Sequence, residues 1–249
     1  VQACYVEGAR YAAPLSVETT ALFYNTDMVS QVPETWEELV KQAVSGGGVS
    51  FDATSIYYDL GFVRACGGYI FKYENGAYDV ADIGLANEGA VAAYEFINAL
   101  CNEHNLLSAD VTADIARSNF QNGQTAYFIG GPWDIDGFTS AGTSFGVAEM
   151  PTFNGQPFVT PVGTQVSFVS NKSDSQDKAW EMIMYLIDKG AMEMYESGDR
   201  IPAKLSDQAN EAIQSNEYSK AFIAQINNGE PMPTVSEMGQ LWGIHTNNI

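Results

Sequence analysis

Positive charge is scarce in this chain: 11 Lys and Arg stand against 31 Asp and Glu among 249 residues, a formal charge of −20. Binding to nucleic acid relies on clustered cations that displace counterions from phosphates, so that class of partner is excluded, and an anionic membrane surface is disfavoured for the same reason. Histidine is scarcer still. His104 and His245 are the only two, neither has a metal-type partner four residues away, and each is expected at a helix end or on the surface. Three cysteines, Cys4, Cys66 and Cys101, form no C-x-x-C pair, which excludes a disulfide-dense scaffold and a cysteine zinc site and leaves each expected in a buried apolar role. No apolar run approaches the roughly eighteen residues that a membrane-spanning helix needs. A phosphate-binding G-x-x-x-x-G-K-[ST] string is missing too, since Gly46-Gly47-Gly48 lacks the following Lys and helix. No metal or cofactor is therefore expected. With neither an initiator Met nor a basic–apolar leader at its start, Val1 is expected to begin a processed chain or a fragment.

What is present is globular. Apolar residues make up 45% and charged ones 17%, ample for a core, and the length suits one large or two modest domains at about 150 residues each. The opening segment, through the run Thr20 to Asn25, reads as short strands. Thr35-Trp36-Glu37-Glu38 is a capping box that starts a helix running to about Val44, stopped by the three glycines. Asn75-Gly76 between two strand-like runs predicts a hairpin. Asn87 caps a helix with Val91, Tyr94, Ile97 and Cys101 along one face. A short helix around 115–120 ends at Gly123 and a strand over 125–129 delivers Gly130-Gly131-Pro132-Trp133. Extended segments follow at 145–150 and 158–170. From Ser173 the chain is nearly all helix, with Trp180, Ile183, Met184 and Ile187 in one stripe and Ala221, Ile223 and Ile226 in another. Pro231-Met232-Pro233 interrupts before a last helix that contains Leu241-Trp242. Mixed strands and helices imply an α/β or α+β fold.

Gly142-Thr143-Ser144-Phe145-Gly146 is a literal G-x-S-x-G, but a nucleophile elbow has a strand before the serine and a helix after it. Here a loop leads into a strand, so the string is expected to be a turn. A carboxylate pair of glycosidase type carries no weight, because 31 carboxylates supply pairs by chance. Aromatic side chains beside polar or backbone-exposing loops are more informative. Tyr57-Tyr58 follows Asp52-Ala53-Thr54-Ser55, Trp133 follows Gly-Gly-Pro, and Trp242 lies beyond Pro231-Met232-Pro233. Flat apolar faces serve the C–H side of a sugar ring, and neighbouring carboxylates and amides serve its hydroxyls; ordinary core packing is the alternative for each ring.

The strings AAPLSVETTALFYNTDMV, PETWEEL, GGYIFKYENGAYDVADIGLANEGA, NGQTAYFIGGPW and MPTFNGQPF occur in an order and spacing that resembles the bacterial extracellular solute-binding proteins, in particular the maltose/maltodextrin-binding proteins of ABC importers. The resemblance covers essentially the whole chain. It implies a type II periplasmic-binding-protein-like α/β fold of two lobes joined by crossing hinge segments, with sugar held in the cleft. It further implies that the chain starts well inside the family pattern and lacks its last helices. Residues 1–24 would then carry a hinge strand and a remnant of the first lobe. Residues 25–166 with 232–249 would form the carboxy-terminal sugar-binding lobe, and 167–231 the helical part of an incomplete amino-terminal lobe.

Matched position by position, the resemblance makes Glu18 the hinge-strand glutamate that bonds sugar hydroxyls, Tyr57 a ring lying against the sugar, and Trp133 and Trp242 the two stacking tryptophans. Met232 falls where the family has a methionine near the cleft. Ser55 takes the place of a ligand-contacting glutamate, and Gly243 and Thr246 replace an aromatic residue and an arginine, so this lobe has fewer polar anchors. The function implied is that of a non-enzymatic receptor, an extracellular, cell-surface lipoprotein or a periplasmic protein, which binds malto-oligosaccharide and presents it to ABC importer permease subunits. A glycoside hydrolase and a lobe fragment acting as an interaction module are the alternatives.

Overall fold

Ala21, Leu22 and Phe23, like Tyr127, Phe128 and Ile129, run as consecutive apolar residues without polar alternation, the pattern of strands covered on both faces. The computed structural model describes residues 4–6 and 9–249. Part of the opening segment expected as short strands, residues 1–3, 7 and 8, lies outside the described residues. The first half of the chain contains β1 (Tyr5–Val6), β2 (Ala9–Arg10), β3 (Ala12–Glu18), β4 (Ala21–Asn25), α1 (Trp36–Gln42), β5 (Val49–Ser50), α2 (Ile56–Ala65), β6 (Lys72–Glu74), β7 (Ala77–Asp79), α3 (Glu88–Asn102) and α4 (Ala113–Gln121). Then come β8 (Tyr127–Gly130), α5 (Ile135–Ala141), β9 (Phe145–Ala148), β10 (Pro161–Phe168), α6 (Gln176–Lys189) and α7 (Ala191–Gly198). The last elements are α8 (Leu205–Gln208), α9 (Glu211–Ser215), α10 (Glu217–Asn227), β11 (Glu230–Pro231) and α11 (Met238–Asn248).

One sheet has the order β5-β8-β4-β9, with β4 antiparallel to both neighbours and β5 parallel to β8. Side chains alternate between its faces. Leu22, Tyr127 and Ile129 enter a core around Trp36, whose indole meets Phe51, Phe62 and Phe158. Phe23 and Phe128 enter a second core on the opposite face, with Phe120, Phe138 and Phe222. A second sheet, β11-β10-β3, pairs β10 antiparallel to β3 and parallel to β11. The chain passes between the sheets at Thr19-Thr20 and at 158–160, where the polar groups are buried and mutually bonded. Thr19 Oγ1 lies 2.8 Å from the Pro161 carbonyl and 2.7 Å from Thr160 Oγ1, while the Gln225 side-chain amide donates to the Phe158 carbonyl and accepts from the Met150 N–H.

Local signals map well. Thr35 accepts from the Glu38 N–H, although Glu38 Oε2 reaches back to the Glu34 N–H and not to that of Thr35. Asn75 and Gly76 take φ of 53° and 83°, closing the β6–β7 hairpin. Gly142, at φ 73°, terminates α5 and leads into β9, so Ser144 sits on a helix-to-strand turn with no elbow geometry. Two expectations need correction. Val91 is 47% exposed, and the covered face of α3 is Ala90, Ala93, Ile97 and Leu100, because the helix docks one residue round from its most apolar side. On α10 the fully buried ring is Phe222, with Ala221, Ile223 and Ile226 only partly covered. The α6 stripe is half-buried against β3 and β10, with Arg10 over the Trp180 ring. By contrast, α10 packs on β9 and β4.

Asn87 closes the start of α3 twice: Oδ1 accepts from the Ala90 N–H at 2.8 Å, and Nδ2 donates to the Gly67 carbonyl at 3.2 Å. Asn87→Ala is expected to cost about 1 kcal/mol, a fall in Tm of about 2–4 °C by thermal melting. Asn87→Asp, which keeps the cap, should recover most of it.

Candidate functional site

In open α/β sheets ligands gather beyond the carboxyl ends of the parallel strands. Here β5 and β8 run parallel, Ser50 opposite Phe128, so Tyr57, seven residues past Ser50, and Trp133, three past Gly130, emerge at the same edge. Antiparallel β4 starts there, Ala21 opposite Gly130, which brings Glu18 at the end of β3 to it as well. The Tyr57 and Trp133 rings are 6.4 Å apart at 44°. Tyr58 stands edge-on to Tyr57 at 5.6 Å. Burial raises the Tyr57 phenol above its ordinary range, and the negative charge of Glu18 raises it further. Burial together with Asp134 and Asp52 pushes Tyr58 up to about 12. Both phenols are therefore neutral hydrogen-bonding groups on apolar rings throughout the physiological range.

All six residues expected at the site are half-buried, enclosed yet accessible. Glu18, Tyr57 and Trp133 come together at the sheet edge. Ser55 is the N-cap of α2, its Oγ accepting from the Tyr57 N–H, so it acts on the helix that carries the tyrosine. Met232 and Trp242 rest against the core around Trp36, Met232 just after β11 and Trp242 on α11, which packs on α2. Four further residues escaped the sequence. Gln165 Nε2 and Arg200 Nη1 both donate to Glu18 Oε2, at 2.9 and 3.1 Å. Asp134 and Arg117 fasten the loop that bears Trp133. Only Asp134 had a local signal, its place directly after Gly-Gly-Pro-Trp; the others arrive from distant elements. Among the described residues no cluster of His, Cys, Asp and Glu is suited to a metal ion.

The model for bacterial extracellular solute-binding proteins matches residues 2–228. The chain belongs to that family. A galactooligosaccharide-binding protein of Bacillus subtilis is 32% identical over 256 residues, spanning 97% of this chain and 61% of the relative. The maltodextrin-binding protein of the same organism is 29% identical over 258 residues, with the same coverage of 97% and 61%. Among solved structures, the maltose-maltodextrin binding protein of Alicyclobacillus acidocaldarius is similar with a TM-score of 0.92 and 33% identity, over 98% of this chain and 68% of the other. A cyclo/maltodextrin-binding protein complexed with maltotetraose has a TM-score of 0.89 and 30% identity, over 98% and 65%. This family member thus spans 61% of the length of both Bacillus subtilis relatives, and its α/β architecture is the type II two-lobe fold of the solved ones.

Beneath the edge lies an acidic group with no hydrogen-bond partner among the described residues. Asp59, on α2, is fully buried, and no described residue bonds either carboxylate oxygen. Burial, reinforced by Asp52, raises it well above the ordinary carboxylate range, and Tyr94 and Cys101 feel its charge. Nearby His245, expected at a helix end or on the surface, lies in the last turn of α11 and is only 6% exposed. Its Nδ1 donates to the Thr54 carbonyl and its Nε2 accepts from the Tyr94 hydroxyl, both at 3.0 Å, the neutral tautomer that satisfies both partners. Burial lowers its pKa. The linkage signs follow. A carboxyl raised in the folded state favours folding below its unfolded pKa, near 4, and that advantage is lost as pH rises through the folded value. A histidine lowered in the folded state costs stability as pH falls below about 6.5. Asp59→Asn removes the first effect alone. Its Tm is expected to exceed that of the parent by about 2 °C or more at pH 8, with the two curves converging below about pH 4. Melts across that range check this.

Proposed function

We propose that this chain carries the oligosaccharide-binding face of a receptor for an ABC-type importer and performs no chemistry on the sugar. The observation that carries this is the meeting of Tyr57 and Trp133 at the carboxyl ends of β5 and β8, with the Glu18 carboxylate held beside them by Gln165 and Arg200. Indole and phenol faces receive the C–H side of a sugar ring. A carboxylate already fixed by two donors keeps its remaining lone pairs for hydroxyls. Trp242, on the α11 that packs against α2, and Met232, both against the Trp36 core, are assigned to the same proposed surface, and Ser55 supports it through the α2 cap.

The relatives named for galactooligosaccharide, maltodextrin and maltose-maltodextrin binding support an oligosaccharide as the ligand class, and we favour malto-oligosaccharide. Permease subunits are the proposed partners and the bacterial cell exterior the proposed location, with a lipoprotein anchor as in relatives named as solute-binding lipoproteins. Among the described residues no helix is long and apolar enough to cross a membrane. We assign 25–166 and 232–249 to the sugar-binding lobe with two adjustments from packing and strand pairing: α10 and β4 from Ala21 join it, and β10 from Pro161, paired with β3, leaves it. The part of 167–231 that precedes α10 goes with β3 and β10 to the other lobe, and Thr19, Thr160 and the Glu230–Pro231 strand mark the hinge.

Titration with maltotriose, followed by tryptophan fluorescence, should give a saturable change with no shorter sugars on chromatography; release of shorter sugars would overturn the proposal in favour of a hydrolase. A galacto-oligosaccharide titrated in parallel ranks the two ligand classes. Trp133→Ala or Trp242→Ala is expected to weaken maltotriose binding by more than about tenfold, the loss of a stacking face and its buried area. Unchanged affinity would return that ring to a packing role.

A further inference from the structure

The Trp133 loop is pinned at both ends by one residue. The Asp134 N–H donates to the Gly131 carbonyl at 3.0 Å, and Asp134 Oδ2 accepts from the Gly131 N–H, also at 3.0 Å. The two bonds close a ring around Pro132 and Trp133. Asp134 Oδ1 then accepts from Arg117 Nε, and Arg117 Nη1 donates to Asp114 Oδ1 at 2.6 Å, which ties the loop to α4. The Asp134 side chain is 1% exposed and that of Arg117 34% exposed. A charged pair this enclosed gives little net stability against an apolar pair of the same shape, so its directional bonds are its main contribution.

Steric contacts complete the fixation. The Trp133 indole lies over Gly131 so closely that a Cβ there would stand 2.3 Å from two ring carbons. A Cβ on Gly130 would meet Asp134 Oδ2 at 2.5 Å. The Tyr57 ring stands 6.4 Å from the indole at 44°.

We propose that Asp134, anchored by Arg117, is a positioning residue for the Trp133 platform: it holds the indole in its sugar-accepting orientation before sugar arrives. This rests on Trp133 facing the sugar, as proposed above. Ordering costs are then met during folding and not during binding, which raises affinity without adding a contact.

The test is a double-substitution cycle in the full chain, Asp134→Ala, Trp133→Ala and both together, with maltotriose affinity and Tm measured for each. Asp134→Asn, whose side-chain oxygen still accepts from the Gly131 N–H, and Arg117→Gln are added as variants of lesser structural disturbance. Asp134→Ala is expected to weaken maltotriose binding about five- to tenfold, and the double variant to bind no worse than Trp133→Ala, since positioning has no value once the ring is gone. Asp134→Asn should lose less. Independent multiplication of the two losses, or parent-like affinity in folded Asp134→Ala, would overturn the proposal. A sugar-free measurement separates it from the binding assignment: the Trp133 indole N–H resonance, assigned by its disappearance in Trp133→Phe, should shift or broaden in Asp134→Ala and Arg117→Gln. An unchanged resonance would overturn the positioning role whatever the affinities. A shifted one alongside wild-type binding by Trp133→Ala would uphold the positioning and overturn the sugar assignment of the ring.

Discussion

A sheet buried on both faces is the constraint on which this structure depends. The stretches of β4 and β8 covered on both faces have to be apolar or small, and Ala21-Leu22-Phe23 and Tyr127-Phe128-Ile129-Gly130 meet that condition. Period-two alternation then divides them between two cores. Phe23 and Phe128 gather the phenylalanines of α4, α5 and α10, while Leu22 and Ile129 face those around Trp36. A slip of one residue would exchange the two sets, so the register is strongly fixed. That register also places Ala21 opposite Gly130, which sends Glu18 and Trp133 out at a single edge.

Passing from this sheet to the β3–β10 sheet takes backbone through the interior, where unpaired polar groups are costly. Thr19, Thr160 and Gln225 answer that cost with side-chain bonds across long sequence separations. The crossing is lined by these hydrogen-bonding side chains, and beside it Val17 and Ile201 pack against the second core. Receptors that close around a ligand turn about a small number of such residues. Glu18 sits immediately before the crossing, with Gln165 and Arg200 on it, so any rotation there moves the carboxylate relative to the Tyr57–Trp133 pair.

On the proposed oligosaccharide reading, the chemistry of the site divides between platforms and anchors. A stacked aromatic contact contributes about 0.5–1.5 kcal/mol beyond the area it buries. Discrimination between linkages and epimers would then fall to hydroxyl partners, and these are few among the proposed residues: Ser55 is occupied with the α2 cap, and Gly243 offers no side chain. Rings fixed before binding, as proposed for Trp133, would offset scarce anchors, because less order has to be imposed on binding.

Much of this was legible in the residues themselves. Thr35, Asn75-Gly76, Asn87 and Gly142 act through bonds or torsions within a few positions, so each named its element without reference to the rest of the fold. The runs Thr20 to Asn25 and 125–129 read as strands, and the family strings named Glu18, Tyr57 and Trp133, which the fold brings to one edge. The helix face that docks, with Ala90 inward and Val91 outward, was not legible, because small residues win wherever another helix approaches closely. Nor was the burial of His245, whose partners Thr54 and Tyr94 lie 191 and 151 residues away. Arg117, Gln165 and Arg200 were hidden for the same reason. Local sequence determined the elements and the rings that leave them. Only the tertiary structure decided which charges hold those rings and the carboxylate in place, since an ion pair or side-chain bond is defined by distance in space and leaves no periodic trace along the chain.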